Sequence, residues 1–290
     1  MKRNKVVITI ILVLIVFSSS YNIASSKITN NSNILKNVNS WAVFITVGDP
    51  KRDLKNVNDL KKILLNNSWD EKHIYILSEH KATKNTILEM PQLLVNYGLK
   101  KDDLVLFYFS MHGGRTDDVE PFDEPDGIDE FIIPFKNDKG NSSENILDDE
   151  LASAFDCINS KNILLIFETC YSGGMIDGSS DLRKSGRVII TSADADETSY
   201  PLFLRRSWLF PFYLIKGLKG PADTNKDNII SAEETFSYAE KKTIIRSSFY
   251  GSLFYIFHRS LFIQHPQIYD GWPSEENNQD ELEIIHLKNK

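Results

Sequence analysis

DLVLFYFS (residues 103–110) is apolar at nearly every position, and so is NILLIF (residues 162–167). A strand with one wet face alternates polar and apolar residues, whereas a continuous apolar run fits a strand covered on both faces, as in the middle of a parallel sheet. Working outward, WAVFITV (41–47), HIYIL (73–77) and RVIIT (187–191) read as three further strands. Helical spacing fills the intervals at 57–65, 83–97 and 145–158, and the pattern turns helical again beyond Pro201. Strands alternating with helices predict parallel pairing through crossover helices, hence a doubly wound, mainly parallel α/β sheet with flanking helices.

At 290 residues and 41% hydrophobic composition the chain can bury one sizeable core. A net charge of -7 argues against a nucleic-acid binder, which carries a basic face. Lys2, Arg3 and Lys5 precede an apolar run ending at Phe17, which reads as a secretory signal or an uncleaved N-terminal anchor at 1–26. Either places the body outside the cytoplasm, secreted or held on the extracytoplasmic face of the membrane. Asn and Ser dominate 27–40, a flexible linker. The remaining expectations are one domain over 41–272, followed by a loose polar tail at 273–290.

Ligands of an open parallel sheet bind beyond the carboxyl ends of its strands. Two of the strands end in residues that carry chemistry. The first runs into Met111-His112-Gly113-Gly114, the second into Glu168-Thr169-Cys170-Tyr171-Ser172-Gly173-Gly174. If these strands are neighbours, an imidazole and a thiol share one crevice. A histidine beside a cysteine can lower the thiol pKa and populate the thiolate, the nucleophile of acyl transfer. Glycines after His112 let backbone approach a substrate carbonyl, so the Gly113 and Cys170 N–H groups are candidates for an oxyanion hole. The other cysteine, Cys157, and the other five histidines lack such surroundings.

FYFSMHGG followed by ETCYSGG resembles the caspase-like (clan CD) cysteine peptidases, which include caspases, metacaspases and legumains. DEPDGIDE (123–130) and ILDDEL (146–151) are similar to metacaspase segments, whereas Glu168-Thr169-Cys170 and Glu197-Thr198-Ser199-Tyr200 look more like legumains. Met111 departs from the small residue usual before the histidine. The resemblance implies a caspase-like fold and an endopeptidase with Cys170 as nucleophile and His112 as general base, working through a thioester on peptide or protein substrates without an organic cofactor. It also implies a specificity pocket drawing on Glu168, Asp194 and Ser199, with Arg52 as the counterpart of a legumain arginine. An acidic pocket selects Arg or Lys at P1; neutralisation of Glu168 by Arg52 would favour Asn instead. A non-catalytic calcium-binding scaffold and a transpeptidase are the alternatives.

A second constellation is DTNKDNIISAEE (223–234), which matches the twelve-residue EF-hand loop. Asp223, Asn225 and Asp227 offer side-chain oxygens, Ile229 its carbonyl, Ser231 a water-bridged contact and Glu234 a bidentate carboxylate. Asn228 replaces the usual glycine, and Asn tolerates the left-handed backbone needed there. These residues predict an EF-hand-like loop and helix holding calcium. The acidic segment 117–130 reads more readily as a solvated loop than as a second cation site.

Overall fold

The computed structural model describes residues 39–122, 124–135, 144–178, 182–202, 205–258, 263–273 and 281–288. The expected signal or anchor segment at 1–26, and the linker up to residue 38, lie outside the described residues. Among the described residues no helix is long and apolar enough to cross a membrane.

Six strands form the central sheet: β1 (Ser40–Thr46), β2 (Ile74–Ser78), β3 (Leu104–Ser110), β7 (Asn162–Glu168), β8 (Arg187–Thr191) and β10 (Gln267–Asp270). Their spatial order is β10-β8-β7-β3-β1-β2, all parallel except β10, which runs antiparallel on β8. The five expected strands are all present. β10 was not anticipated, because four residues with a half-buried pattern give little periodicity to read.

Strand side chains alternate between two apolar layers, as the period of two requires. On one face Phe44, Leu106, Tyr108, Leu164, Ile166, Val188 and Ile190 meet α1 (Pro50–Asn66), α4 (Leu209–Gly217) and α5 (Ala232–His258). On the other, Val43, Val105, Phe107, Phe109, Leu165, Phe167 and Ile189 meet α2 (Lys84–Asn96) and α3 (Asp148–Phe155). Both layers are populated, which is why β3 and β7 are apolar throughout.

α1 begins where it does because Asp49 caps it, accepting from the Lys51 and Arg52 N–H groups at 3.1 Å each, with Pro50 in the first turn. Two small sheets sit outside the main one. β4 (His112–Asp117), β5 (Ile128–Ile133) and β6 (Ile146–Leu147) form an antiparallel set continuous with the end of β3. β9 (Ile229–Ser231) pairs antiparallel with β11 (Glu283–His286).

β11 corrects the expectation of a loose tail. Leu282, Ile284 and Ile285 are buried in the first apolar layer, and the Trp69 indole N–H donates to the Ile284 carbonyl at 3.3 Å. The polar composition around these residues masks a strand only four residues long. Ile285→Ala should therefore lower the unfolding free energy by about 2–4 kcal/mol in urea titration, as a buried Ile→Ala change does. Exposed Glu283→Ala should stay within about 0.5 kcal/mol.

Candidate active site

β3 and β7 pair in parallel without a register shift, Ser110 opposite Glu168, and the Met111 N–H donates to the Glu168 carbonyl at 3.3 Å. His112 and Cys170 each stand two residues past that last pair. Both line one cavity of about 320 Å³, together with Val47, Gly48, Asp49, Met111, Glu168, Thr169, Ser199 and Trp208.

The local chain explains how each group is presented. After Met111, which is buried, the backbone leaves the main sheet as β4, so His112 is exposed at the sheet's edge. The His112 ring lies over Gly48, where a Cβ would come within 3.3 Å of Nε2. After Cys170 the chain reverses through Tyr171 in the left-handed region (φ 59°) into a short 3-10 helix, Ser172–Ile176. Gly173 and Gly174 are required by close approach: a Cβ would fall 2.4 Å from the Ala195 nitrogen or 1.9 Å from the Glu130 carboxyl carbon. Gly113 backs directly onto the Cys170 carbonyl, 2.4 Å from where its Cβ would be. The Tyr171 N–H donates to the Glu197 carbonyl at 2.7 Å, and the Arg115 guanidinium lies over the Tyr171 ring.

Burial dominates the electrostatics. It pushes the Glu168 carboxyl up to about 8, opposed by the Ser199 and Ser192 hydroxyls and reinforced by Asp53. Glu168 is therefore largely neutral at pH 7, with Ser199 Oγ hydrogen-bonded to its Oε1. Burial also raises the Cys170 thiol, against a lowering contact from the Ser199 backbone. Burial thus works against any lowering of the thiol pKa by a neighbouring histidine.

The expected pocket residues divide. Glu168 and Ser199 line the cavity. Asp194 does not line it; its carboxylate accepts from the Ala195 N–H at 2.8 Å and its backbone packs on Gly173. Arg52 is also absent from the lining, because it pairs with Asp49 and stacks over Trp208 at 5.4 Å. Sequence reasoning missed Asp49 and Trp208, and behind them Asp53. The buried Asp53 carboxylate accepts from the Trp208 indole (2.7 Å), the Ser110 hydroxyl (2.8 Å) and the Asp49 N–H (2.9 Å). Asp49 was accessible in principle, since it follows the carboxyl end of β1, the neighbour of β3.

Two acidic constellations lie away from the cavity. Glu124, Asp129 and Asp148 are buried, and one oxygen from each lies within 4.8 Å of the others. The 117–130 segment is thus not simply a solvated loop: Glu124, Asp129 and Glu130 are buried, while Asp117, Glu120 and Asp126 stay exposed. Burial and the negative charges of Asp177, Asp126 and Glu124 push the adjacent Glu130 up to about 8.

The 223–234 loop lies between α4 and α5. Asn228 adopts a left-handed φ of 67°. Asp223, Asn225 and Asp227 accept from the N–H groups of Asn228 (3.3 Å), Asp227 (3.0 Å) and Ile229 (2.7 Å). Glu234 Oε1 accepts from Thr224 N and Oγ1, and Ser231 Oγ from Glu234 N, all at 3.0 Å. Ile229 to Ser231 form β9, which pairs with β11.

A mostly parallel sheet carrying histidine and cysteine at adjacent strand ends fits a caspase-like fold, and the chain is similar to clan CD cysteine peptidases. Within that clan, residues 51–179 match the family model described as metacaspase, peptidase C14 domain. Metacaspase-1 of Candida albicans is 27% identical over 144 residues, 46% of this chain and 31% of that protein. Metacaspase-1 of Yarrowia lipolytica is 36% identical over 98 residues (33% and 20%), and metacaspase-1B of Aspergillus terreus 37% over 97 (33% and 24%). The chain thus spans between a fifth and a third of the length of these curated relatives.

Glu168 gives a pH test. Between about pH 4.5 and 8 its carboxyl holds a proton in the folded protein that the unfolded chain has released, so stability falls as pH rises through that window. One such group contributes a slope of up to about 1.4 kcal/mol per pH unit. Glu168→Gln should flatten the pH dependence of denaturant-measured stability there; an unchanged slope would show that Glu168 is ionised in the folded protein.

Proposed function

We propose that the chain is an exported cysteine endopeptidase in which Cys170 is the nucleophile and His112 the general base. The observation carrying this reading is the in-register pairing of β3 with β7, which leaves both residues opening onto one cavity. His112 takes the Cys170 proton as sulfur bonds to the scissile carbonyl carbon. The oxyanion is met by the N–H groups of Gly113 and Cys170. Collapse expels the amine, which takes its proton from His112 and leaves a thioester. Water, deprotonated by His112, releases the acid and restores the thiol.

Arg or Lys at P1 is the favoured specificity. Glu168 lines the cavity with the Ser199 hydroxyl as its partner, while Arg52 pairs with Asp49 instead. A guanidinium entering beside Glu168 favours the ionised carboxylate and offsets the burial that holds its proton. Asn at P1 is the second specificity and fits the neutral form of Glu168. Export rests on the N-terminal basic and apolar segment alone.

Calcium completes the reading. Three buried carboxylates within reach of one another form a set of hard oxygen donors whose mutual repulsion a divalent cation relieves. Glu124, Asp129 and Asp148 would hold the ion beneath β5. Asp223, Asn225, Asp227, Ile229, Ser231 and Glu234 would hold a second ion in the loop before α5.

The test is a panel of fluorogenic peptides differing at P1, offered to the full chain with calcium or with excess chelator. Cleavage after Arg or Lys is expected, falling at least about a thousandfold in Cys170→Ala and in His112→Ala. Turnover that persists in Cys170→Ala would remove the peptidase assignment. Product joined to an added amine in preference to water would make the enzyme a transpeptidase. Calcium binding with no turnover at all would favour the scaffold reading. Asp148→Asn should weaken any calcium dependence of activity, and activity unaffected by chelator would remove the metal's role.

A further inference from the structure

The segment from Ser192 to Tyr200 has no regular secondary structure, yet its Ser199 forms part of the cavity wall. Its Ser199 meets Glu168 at the base, and its Glu197 carbonyl holds the N–H of Tyr171, next to Cys170. Such a wall needs fixing from outside, because a nine-residue irregular stretch does not hold a hydroxyl in place by itself.

One buried side chain ties both ends. The Gln264 amide donates from Nε2 to the Ser192 carbonyl at 2.7 Å and accepts at Oε1 from the Tyr200 N–H at 3.1 Å. Gln264 is completely buried, and its own backbone N–H is anchored on Ser247 Oγ of α5 at 3.0 Å. The adjoining His265 extends the grip: its backbone N–H donates to Glu197 Oε2 at 2.6 Å, and Nδ1 lies 2.5 Å from Oε1.

We infer that Gln264 is a positioning residue for the specificity pocket, its amide closing the 192–200 segment so that Ser199 is presented to Glu168. The inference rests on the peptidase reading above. A primary amide is the neutral group that supplies a donor and an acceptor from one side-chain end. A glutamate keeps the acceptor for Tyr200 but, when ionised, sets a second acceptor against the Ser192 carbonyl. A methionine keeps the approximate shape and loses both bonds.

The test compares wild type, Gln264→Met and Gln264→Glu in two measurements. The first is the ratio of kcat/KM for the preferred P1 residue to that for alanine. The second is the rate of iodoacetamide alkylation at Cys170, read by peptide mapping, which requires no P1 side chain. At neutral pH the selectivity ratio is expected to drop about tenfold in Gln264→Met, mainly through KM, because a wall displaced by a fraction of an ångström weakens only the side-chain contact. Gln264→Glu, buried and so protonated, keeps both bonds there and is expected to lose selectivity only as rising pH ionises it. Alkylation is expected to stay within about twofold of wild type.

Unchanged selectivity in both variants, or selectivity and alkylation falling together, would overturn the inference. Should Gln264→Met fold poorly, Gln264→Glu decides alone: a selectivity ratio that does not fall relative to wild type as pH rises overturns the inference. Wild type that cleaves no peptide would remove the peptidase reading and this inference with it, whereas active wild type with unaltered variants removes only the inference.

Discussion

The parallel pairing of β3 with β7 is the constraint on which the rest of the site depends. Seven residue pairs run without a bulge from Leu104 opposite Asn162 to Ser110 opposite Glu168. A slip of one residue would turn every side chain of one strand to the wrong layer. Phe107 and Phe109 of β3, or Leu165 and Phe167 of β7, would leave the α2/α3 face, and Phe109 would lose its stacking on Phe167 at 4.7 Å. Hydrophobic register therefore fixes where the strands end relative to one another. The imidazole and thiol share a cavity as a consequence of apolar packing well away from either.

Negative charge under low solvation is the second organising feature. Glu168, Asp53 and Glu130 are all buried carboxyls, and burial raises each of them. Their environments separate their roles. Asp53 is surrounded by donors and serves as a hub that holds Trp208, Ser110 and Asp49 in place. Glu168 faces the cavity with a hydroxyl for partner, a group whose charge an incoming cation can change. Glu130 lies against Gly174 of the cysteine turn and beside a carboxylate cluster built from β5 and α3. The carboxylate cluster and the cysteine turn are thus joined through one packed contact.

The C-terminal third supplies support from distant sequence. β10 extends the sheet beyond β8, Gln264 and His265 grip the wall of the cavity, and β11 returns to cover β9 and the first apolar layer. These pieces are short or irregular, and each acts through one or two well-placed bonds.

The sequence by itself determined the class of fold, the central strands and the two strand ends that carry chemistry. Those features are written as local periodicity: DLVLFYFS and NILLIF are apolar throughout because both faces are covered. The tertiary structure alone decided which groups meet. Arg52 turns to Asp49 and leaves Glu168 to Ser199, Asp194 braces the cysteine turn from outside the cavity, and residues 284 and 285 enter the core. Gln264 reaches Ser192 across 72 residues of sequence. Spacing along a chain encodes which face of an element is buried. Pairings between irregular segments that far apart depend on topology and loop path, which leave no periodic trace to read.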